Sequence, residues 1–305
     1  MKALLFHNPT AGADENPKAV LLSALKLAGY SVSYCSVKAD DFDDALKRSA
    51  DLIVVAGGDG TVAKVIARLP DRSIPVAILP LGTANNIARS MGIAGAPVQL
   101  AEVLRPDRSR RLDIGTAEGP WGECRFVEAI GVGPIAHGLE KRKSNGKLNS
   151  IDNLRKGRER LQKLLRKAQP LDLEIIVDGK TLGGDLLAIE VLNVAYSGPA
   201  LPLAPQADPG DGKLDIVCVT AGRRKDMVDW LEAPQEAPAP VTITAGRKVK
   251  ISGDLPHQRL DDQVFDPTEE KATIRISLEH EAAKVLVPPE DIVTEDAKLE
   301  GAAAK

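Results

Sequence analysis

The chain has few aromatic residues: Phe, Trp and Tyr together make up only 3% of its 305 residues. Single-stranded nucleic acids bind to platforms of aromatic side chains, so this composition argues against such a partner. An excess of positive charge is also missing, since the formal net charge is -3 and the isoelectric point is near 5.9. That balance argues against a basic nucleic-acid-binding surface, and we expect no nucleic acid among the partners.

Cysteines and long apolar runs are scarce as well. The three cysteines, Cys35, Cys124 and Cys218, have no CxxC spacing, which argues against a structural zinc site and a disulfide framework. No apolar run reaches the roughly 18 residues of a membrane-spanning helix, and the first residues do not resemble a signal peptide. We therefore expect a cytoplasmic protein with reduced thiols.

The most informative motif that is present is GGDGTV at Gly57–Val62. It follows the apolar run Leu52–Ala56, which is typical of a buried parallel strand, and it precedes a helical pattern. A glycine turn at a helix N-terminus exposes backbone N–H groups that bind phosphate. A carboxylate beside a polyphosphate is repelled unless a cation lies between them, so Asp59 indicates Mg²⁺ carried with a nucleotide.

The first 112 residues alternate predicted strands and helices, which implies a parallel sheet with helices on both faces. Polar loops follow three of the strands, at Asn8–Gly12, Gly57–Thr61 and Leu81–Asn86. Because ligands bind at the carboxyl edge of such a sheet, we expect these loops to form a site there. The predicted strands are 3–7, 31–36, 52–56 and 76–80, and the predicted helices are 15–28, 43–50, 62–68 and one that ends at Met91.

Beyond residue 112 the pattern changes to successive strands separated by Gly, Pro and Asp turns. This change predicts an antiparallel sheet domain over residues 113–290, followed by a polar tail at 291–305. The predicted strands are 125–130, 171–177, 186–196, 214–220, 241–244, 248–252, 273–278 and 284–287.

The segment 141–167 carries eleven basic residues against two acidic ones. Its leucines recur at helical spacing, which predicts a helix with one apolar face. Two interpretations stay open at this point. The helix packs on the protein with a solvated basic face, or that face makes a peripheral membrane contact with anionic lipid headgroups.

In combination, GGDGTV, NPTAG at Asn8–Gly12 and PLGTAN at Pro80–Asn85 resemble the diacylglycerol kinase catalytic family, in its bacterial soluble lipid-kinase branch, which is related to sphingosine kinases. Further matching segments follow at Asp113–Gly115, Gly131–Gly133 and Asp208–Asp215. The resemblance covers roughly residues 1–288. It implies an α/β nucleotide domain of NAD-kinase and diacylglycerol-kinase type, then a β-sandwich domain, with the active site in the cleft between them. It also implies an ATP- and Mg²⁺-dependent kinase whose substrate is a lipid such as diacylglycerol.

The resemblance also implies roles for single residues. Asp59 would organise the catalytic Mg²⁺, with Asp113 acting through water. A second, structural Mg²⁺ would be bound by the carboxylate of Asp211 and by main-chain oxygens of Asp208 and Lys213. The alternative is an ordinary tight turn, which Asp and Gly also favour. The positions implied to hold ATP are Asn8, Thr10, Gly12, Ser36, Gly57, Gly58, Gly60, Thr61, Thr83 and Asn85.

Two positions depart from the family pattern. Relatives usually carry an aspartate where this chain has Asn86, and a glutamate that accepts the proton of the lipid hydroxyl where it has Gln263. Glutamine accepts no proton at neutral pH, so Asp261 or Asp262 would have to serve as the base. Two alternatives therefore stay open: a degenerate member that binds nucleotide or lipid with little catalysis, and a kinase of a soluble alcohol.

Overall fold

The computed structural model describes residues 1–12, 18–139 and 150–289. The chain divides into two compact units, of which the first contains residues 1–112 and the segment that starts at residue 281, and the second contains residues 113–280. The predicted polar tail at 291–305 lies outside the described residues. Within the described ranges, no helix combines the length and the apolar character needed to cross a membrane.

The first unit contains a parallel sheet with helices between its strands, as the alternating pattern predicts. The strand order is β2-β1-β3-β4, and every neighbouring pair is parallel. All six residues of the strand before the glycine motif are buried, which explains its unbroken apolar sequence. The elements are β1 (Lys2–His7), α1 (Lys18–Leu27), β2 (Ser31–Ser36), α2 (Phe42–Ala45), β3 (Leu52–Gly57), α3 (Asp59–Arg68), β4 (Val76–Pro80), α4 (Asn86–Ser90) and α5 (Pro97–Glu102).

Helix boundaries in this unit differ from the prediction at several places, and α3 begins at Asp59 instead of Val62. The described part of the first predicted helix begins at Lys18, and residues 15–17 lie outside the described ranges. The second ends at Ala45 instead of Ala50. After Ala45 the hydrogen bonds change to the three-residue spacing of a 3₁₀ turn. The N–H of Lys47 donates to the carbonyl of Asp44, and the N–H of Arg48 donates to the carbonyl of Ala45. Such three-residue spacing is a turn that often ends a helix.

The second unit contains two antiparallel sheets that share an apolar core. One sheet has the order β12-β11-β10-β7-β14-β15, and the other contains β16, β13, β8 and β9 with the hairpin β5–β6. The elements are β5 (Ser109–Gly119), β6 (Gly122–Phe126), β7 (Ala129–Val132), α6 (Pro134–Gly138), α7 (Ser150–Lys167), β8 (Leu173–Val177), β9 (Lys180–Leu182), β10 (Leu186–Leu192), β11 (Leu214–Thr220), a 3₁₀ turn (Ala221–Arg223), α8 (Arg224–Trp230), β12 (Thr242–Gly246), β13 (Lys248–Gly253), β14 (Gln258–Leu260), β15 (Gln263–Phe265) and β16 (Ala272–Leu286).

Strand boundaries in the second half differ from the prediction at several places. The predicted strand 125–130 is interrupted after Phe126, because the N–H groups of the next three residues point to a side chain instead of a neighbouring strand. The predicted strand 186–196 ends at Leu192. The two predicted strands 273–278 and 284–287 form one continuous strand, β16, whose last residues belong to the first unit.

The basic segment forms α7, as its leucine spacing predicts. Leu161 and Leu165 are buried against the outer face of the six-stranded sheet, so the helix packs on its own unit. The exposed basic side chains of its described part are Arg155, Lys156, Lys163, Arg166 and Lys167. Residues 140–149 lie outside the described ranges, and contact of the basic face with lipid stays a prediction.

Candidate functional site

The three polar loops of the first unit follow β1, β3 and β4 and are joined at one edge of the sheet. The N–H of Asn8 donates to the carbonyl of Ala56 at 2.9 Å, which joins the first loop to the end of β3. The N–H of Leu81 donates to the carbonyl of Gly57 at 2.9 Å, which joins the third loop to the second. The structure therefore brings together the three loops that the sequence pattern placed at this edge.

Glycines allow the second and third loops to touch. A Cβ atom at Gly82 would lie 2.6 Å from the Cα of Gly58 and 2.7 Å from Oδ1 of Asn85. Asn85 has a left-handed backbone (φ 50°), and its side-chain amide both accepts from and donates to the backbone of Gly82 at 2.9 Å. A side chain at residue 82 would push the loops apart. The two loops form a cradle in which backbone can approach a bound phosphate.

The N-terminus of α3 opens onto this cradle. The helix begins at Asp59 after Gly58, and this N-cap glycine provides no side-chain cap. The amide of Asn8 donates to the hydroxyl of Thr61 at 3.2 Å, and the N–H and hydroxyl of Thr10 both donate to Oδ1 of Asn8. The first loop is thereby fixed to a helix end that carries partial positive charge, which fits an anionic phosphate group.

Asp59 is held beside the cradle by a hydrogen bond to the next helix. Its Oδ1 accepts the N–H of Ile87 at 2.9 Å, in the first turn of α4. The adjacent Asn86 is only 2% exposed. Carboxylate oxygen is a ligand type that Mg²⁺ prefers, so the donor chemistry here fits a nucleotide that carries this ion.

Three other positions predicted to hold ATP lie around the same loops. Gly12 has a positive φ of 82°, and a Cβ there would lie 3.4 Å from the carbonyl of Leu81. Thr83 is in the third loop and is half-buried. Ser36 ends β2, directly beside His7 at the end of β1, and its hydroxyl accepts the N–H of Lys38 at 3.2 Å.

Asp113 lies in the second unit and is fully buried on β5. Its Oδ2 accepts the N–H of Gly212 at 2.8 Å, and its own N–H donates to the carbonyl of Pro209 at 2.7 Å. Its carbonyl oxygen accepts from the side-chain amide of Asn193 at 2.8 Å. These contacts make Asp113 the residue that fixes the turn at residues 208–213.

That turn has the hydrogen bonds of an ordinary Asp turn. Oδ1 of Asp208 accepts the N–H of Gly210 at 3.1 Å, and Oδ1 of Asp211 accepts the N–H of Lys213 at 2.9 Å. Burial, and then the charge of Asp211, raise the pKa of Asp215. In the part of the chain that the structure describes, no three His, Cys, Asp or Glu side chains are grouped as metal ligands. A structural Mg²⁺ at this turn stays a prediction.

Asp261 and Asp262 form the two-residue turn between β14 and β15. Asp261 has a left-handed backbone (φ 50°), and its carboxylate accepts the N–H groups of Val127, Glu128 and Ala129, the shortest at 2.7 Å. Burial raises the pKa of Asp261 to about 6, although these hydrogen bonds act in the opposite direction. The arrangement favours a positioning role for Asp261, whereas Asp262 is exposed beside it.

A buried ionic cluster behind this turn was not predicted from the sequence. Arg259 on β14 is fully buried, and its Nη2 and Nε lie 2.6 and 2.9 Å from Oε2 of Glu190. Its Nη1 lies 3.3 Å from Oε1 of Glu128 and donates to the carbonyl of Asp261 at 3.0 Å. Gly131 makes room for the cluster, because a Cβ there would collide with the Glu190 carboxylate. Arg259 therefore holds the backbone of the turn that carries the two candidate bases.

Two family descriptions match the sequence. The diacylglycerol kinase catalytic domain matches residues 2–117, and the YegS C-terminal NAD kinase beta sandwich-like domain matches residues 143–265. A diacylglycerol kinase of Bacillus subtilis (strain 168) is 30% identical to the chain over 239 residues, which is 74% of this chain and 76% of that protein.

Solved structures share the fold. A diacylglycerol kinase of Bacillus anthracis str. Sterne superimposes with a TM-score of 0.69 at 20% identity, over 94% of this chain and 97% of that one. An NAD kinase of Archaeoglobus fulgidus, solved in complex with ATP, superimposes with a TM-score of 0.52 at 14% identity, over 98% of this chain and 99% of that one. The predicted fold class, an α/β domain followed by a β-sandwich domain, is confirmed.

Proposed function

The chain belongs to the diacylglycerol kinase catalytic family, and we propose that it transfers the γ-phosphate of ATP to a hydroxyl group of a lipid such as diacylglycerol, with Mg²⁺. The observation that carries the proposal is the cradle in which Gly58 and Gly82 touch beside the N-terminus of α3, where the N-cap residue is a glycine. The sequence contains no Gly-x₄-Gly-Lys-Ser/Thr run. Backbone N–H groups and helix charge therefore take the place of a P-loop in binding the phosphates.

Asp59 is the residue of this site that fits the metal. When Mg²⁺ is bound with ATP, it neutralises charge on the phosphates and on the transferred group. Asp59 supplies a carboxylate whose direction is fixed by the N–H of Ile87 at 2.9 Å. Asp113 stays a proposed catalytic residue, and its carboxylate and backbone are fixed by hydrogen bonds to the turn at residues 208–213.

In the proposed reaction the oxygen of the lipid hydroxyl forms a bond to the γ-phosphorus while the bond from that phosphorus to the bridging oxygen of ADP breaks. The hydroxyl proton passes to a carboxylate. Asp262 is the better candidate of the two acids in the β14–β15 turn, because it is exposed while the carboxylate of Asp261 accepts three backbone N–H groups. Asp261 and Arg259 then hold the turn in position.

The second unit also contains a cavity that suits an apolar chain. Its volume is about 510 Å³, and its walls include the apolar Pro134, Leu164 and Leu171 together with the charged Lys167, Asp172 and Asp254. The rings of His137 and His257, which also line it, stack with their centroids 4.0 Å apart. We include in the proposal that the exposed basic side chains of α7 approach anionic headgroups of the membrane that supplies the substrate.

The proposal is tested by incubating the protein with γ-labelled ATP and Mg²⁺ in mixed micelles. Diacylglycerol, a sphingoid base, phosphatidylglycerol and glycerol serve as separate acceptors. We expect label in a lipid product, and a rate that rises with the anionic lipid content of the micelles. Label in glycerol without lipid would instead favour a kinase of a soluble alcohol. Absence of label in all four acceptors would contradict the kinase activity.

A degenerate, nucleotide-binding member is the second candidate, and Gln263 is the observation that favours it. Gln263 is exposed at the start of β15, next to Asp262. Loss of a general base costs about 10²–10⁴ in rate, so if the base is missing, the substitution Gln263→Glu is expected to raise the transfer rate at least tenfold. Because the position is exposed, stability is expected to stay unchanged. Equal rates for the variant and the parent would show that Gln263 does not limit catalysis.

A further inference from the structure

Lys38 places a positive charge at the loop that follows β1. Its Nζ donates to the hydroxyl of Thr10 at 2.7 Å. The family resemblance implies that Thr10 holds ATP, whereas nothing in the motifs singles out Lys38.

The backbone that carries Lys38 is fixed on three sides. The N–H of Val37 donates to the carbonyl of His7 at 3.0 Å, and the N–H of Lys38 donates to the hydroxyl of Ser36 at 3.2 Å. Lys64 on α3 donates to the carbonyl of Val37 at 2.7 Å. The turn after β2 is thus anchored to β1 and to the helix of the glycine motif.

Hydrogen bonds connect Lys38 to the start of α3. The hydroxyl of Thr10 accepts from Lys38 and donates to Oδ1 of Asn8 at 3.0 Å. The amide of Asn8 in turn donates to the hydroxyl of Thr61 at 3.2 Å. The ammonium group therefore lies two side chains away from the first turn of α3, on the side of the first loop.

The charge of Lys38 is available for a ligand. Among the described residues no ion pair is formed between Lys38 and a carboxylate. The contact of Lys38 with Thr10 uses one of the three hydrogens of the ammonium group. Lys64, by comparison, has its ammonium group above the ring of Phe42, 4.2 Å from the centroid. A cation at this place complements the phosphates that the cradle is proposed to hold, in a chain without a P-loop lysine.

We propose that Lys38 is a nucleotide-binding residue whose ammonium group contacts a phosphate of the bound nucleoside triphosphate. This inference rests on the proposed function, because it assigns one more contact to the same ATP site. The contact is expected to strengthen binding of nucleotides with phosphates but not of adenosine, because adenosine has no phosphate with which the ammonium group can form an ion pair.

The test compares the dissociation constants of Mg–ATP and of adenosine, measured by calorimetry on the full chain. The variants are Lys38→Met, which keeps the side-chain length without the charge, and Lys38→Arg, which keeps the charge. Lys26→Met is the matched control, because Lys26 is an exposed lysine of the last turn of α1. Thermal unfolding without ligand checks that the variants are folded.

We expect Lys38→Met to weaken Mg–ATP binding about 10- to 100-fold, the range of a charge-assisted hydrogen bond. Binding of adenosine is expected to stay unchanged, and Lys38→Arg and Lys26→Met are expected to bind Mg–ATP within about threefold of the parent chain. Equal Mg–ATP affinity of Lys38→Met and the parent would overturn the inference and leave the proposed function intact. Equal loss for adenosine and ATP would also overturn it. A parent chain that does not bind Mg–ATP would contradict both proposals.

Discussion

Replacing Asp59 with asparagine is expected to lower the rate of phosphoryl transfer by about 10³-fold, or about 4 kcal/mol of barrier. Asparagine keeps an oxygen at the Oδ1 position, so it can still accept the N–H of Ile87 that the carboxylate accepts at 2.9 Å. The negative charge that fits Mg²⁺ is lost, while the connection between α3 and α4 is retained. The rate is measured with labelled ATP under saturating lipid.

The matched control for this substitution is Asp71→Asn. Asp71 also accepts a backbone N–H, from Ser73 at 2.9 Å, but it lies in the turn before β4, at the amino end of that strand. Its carboxylate therefore lies at the amino ends of the strands, whereas the cradle lies at their carboxyl ends. The rate of the Asp71→Asn variant is expected to stay within about twofold of the parent. An Asp59→Asn variant that retains more than a tenth of the activity would remove Asp59 from the catalytic account.

Replacing Arg259 with methionine is expected to lower the free energy of unfolding by about 3–5 kcal/mol. The substitution leaves the buried carboxylates of Glu190 and Glu128 without the guanidinium that they contact at 2.6 and 3.3 Å. Neither carboxylate can reach water, because the two side chains are 1% and 5% exposed. The loss is measured by urea denaturation, as a shift of the transition midpoint at constant slope.

Arg275→Met is the control for this second prediction. Arg275 lies 3.6 Å from Glu118, but their side chains are 64% and 60% exposed, so water screens the pair. Removal of such a surface pair is expected to change stability by less than about 1 kcal/mol. If Arg259→Met and Arg275→Met had equal effects, the buried cluster would not stabilise the β14–β15 turn.

The first unit follows closely from its sequence. Runs of five or six residues predicted the four strands β1 to β4, and the loops after β1, β3 and β4 are rich in Gly, Asn and Thr. Because parallel strands end at the same edge, sequence order alone placed Asn8, Gly57 and Leu81 near one another, and the structure joins them by backbone hydrogen bonds. Local rules were enough here, since each motif lies within a few residues of the strand that positions it.

The second unit depends on contacts between distant residues, and its details were missed for that reason. The strand predicted at 125–130 looks continuous because Phe126, Val127, Ala129 and Ile130 are apolar, yet the backbone turns to meet a carboxylate more than 130 residues later. The strand β14 was not predicted, because Arg259 is a charged residue at a buried position and breaks the apolar pattern of a strand. Its charge is compensated by Glu190, which no local rule associates with it.

The choice of the catalytic base also depends on contacts between distant residues that the sequence pattern does not predict. The family resemblance left either Asp261 or Asp262 as the base in place of Gln263. Only the structure separates them, because three backbone N–H groups converge on Asp261 while Asp262 is exposed. The side chains of the two residues meet different surroundings although their sequence neighbours are the same.

The initial rate of label transfer from γ-labelled ATP to diacylglycerol in anionic mixed micelles, in the presence of Mg²⁺, tests the central claim most directly. The account predicts a labelled lipid product whose rate of formation is abolished by chelation of Mg²⁺ and lowered about 10³-fold by Asp59→Asn. A parent chain that binds Mg–ATP but transfers no label to any of the lipid acceptors would contradict the claim that it is a lipid kinase.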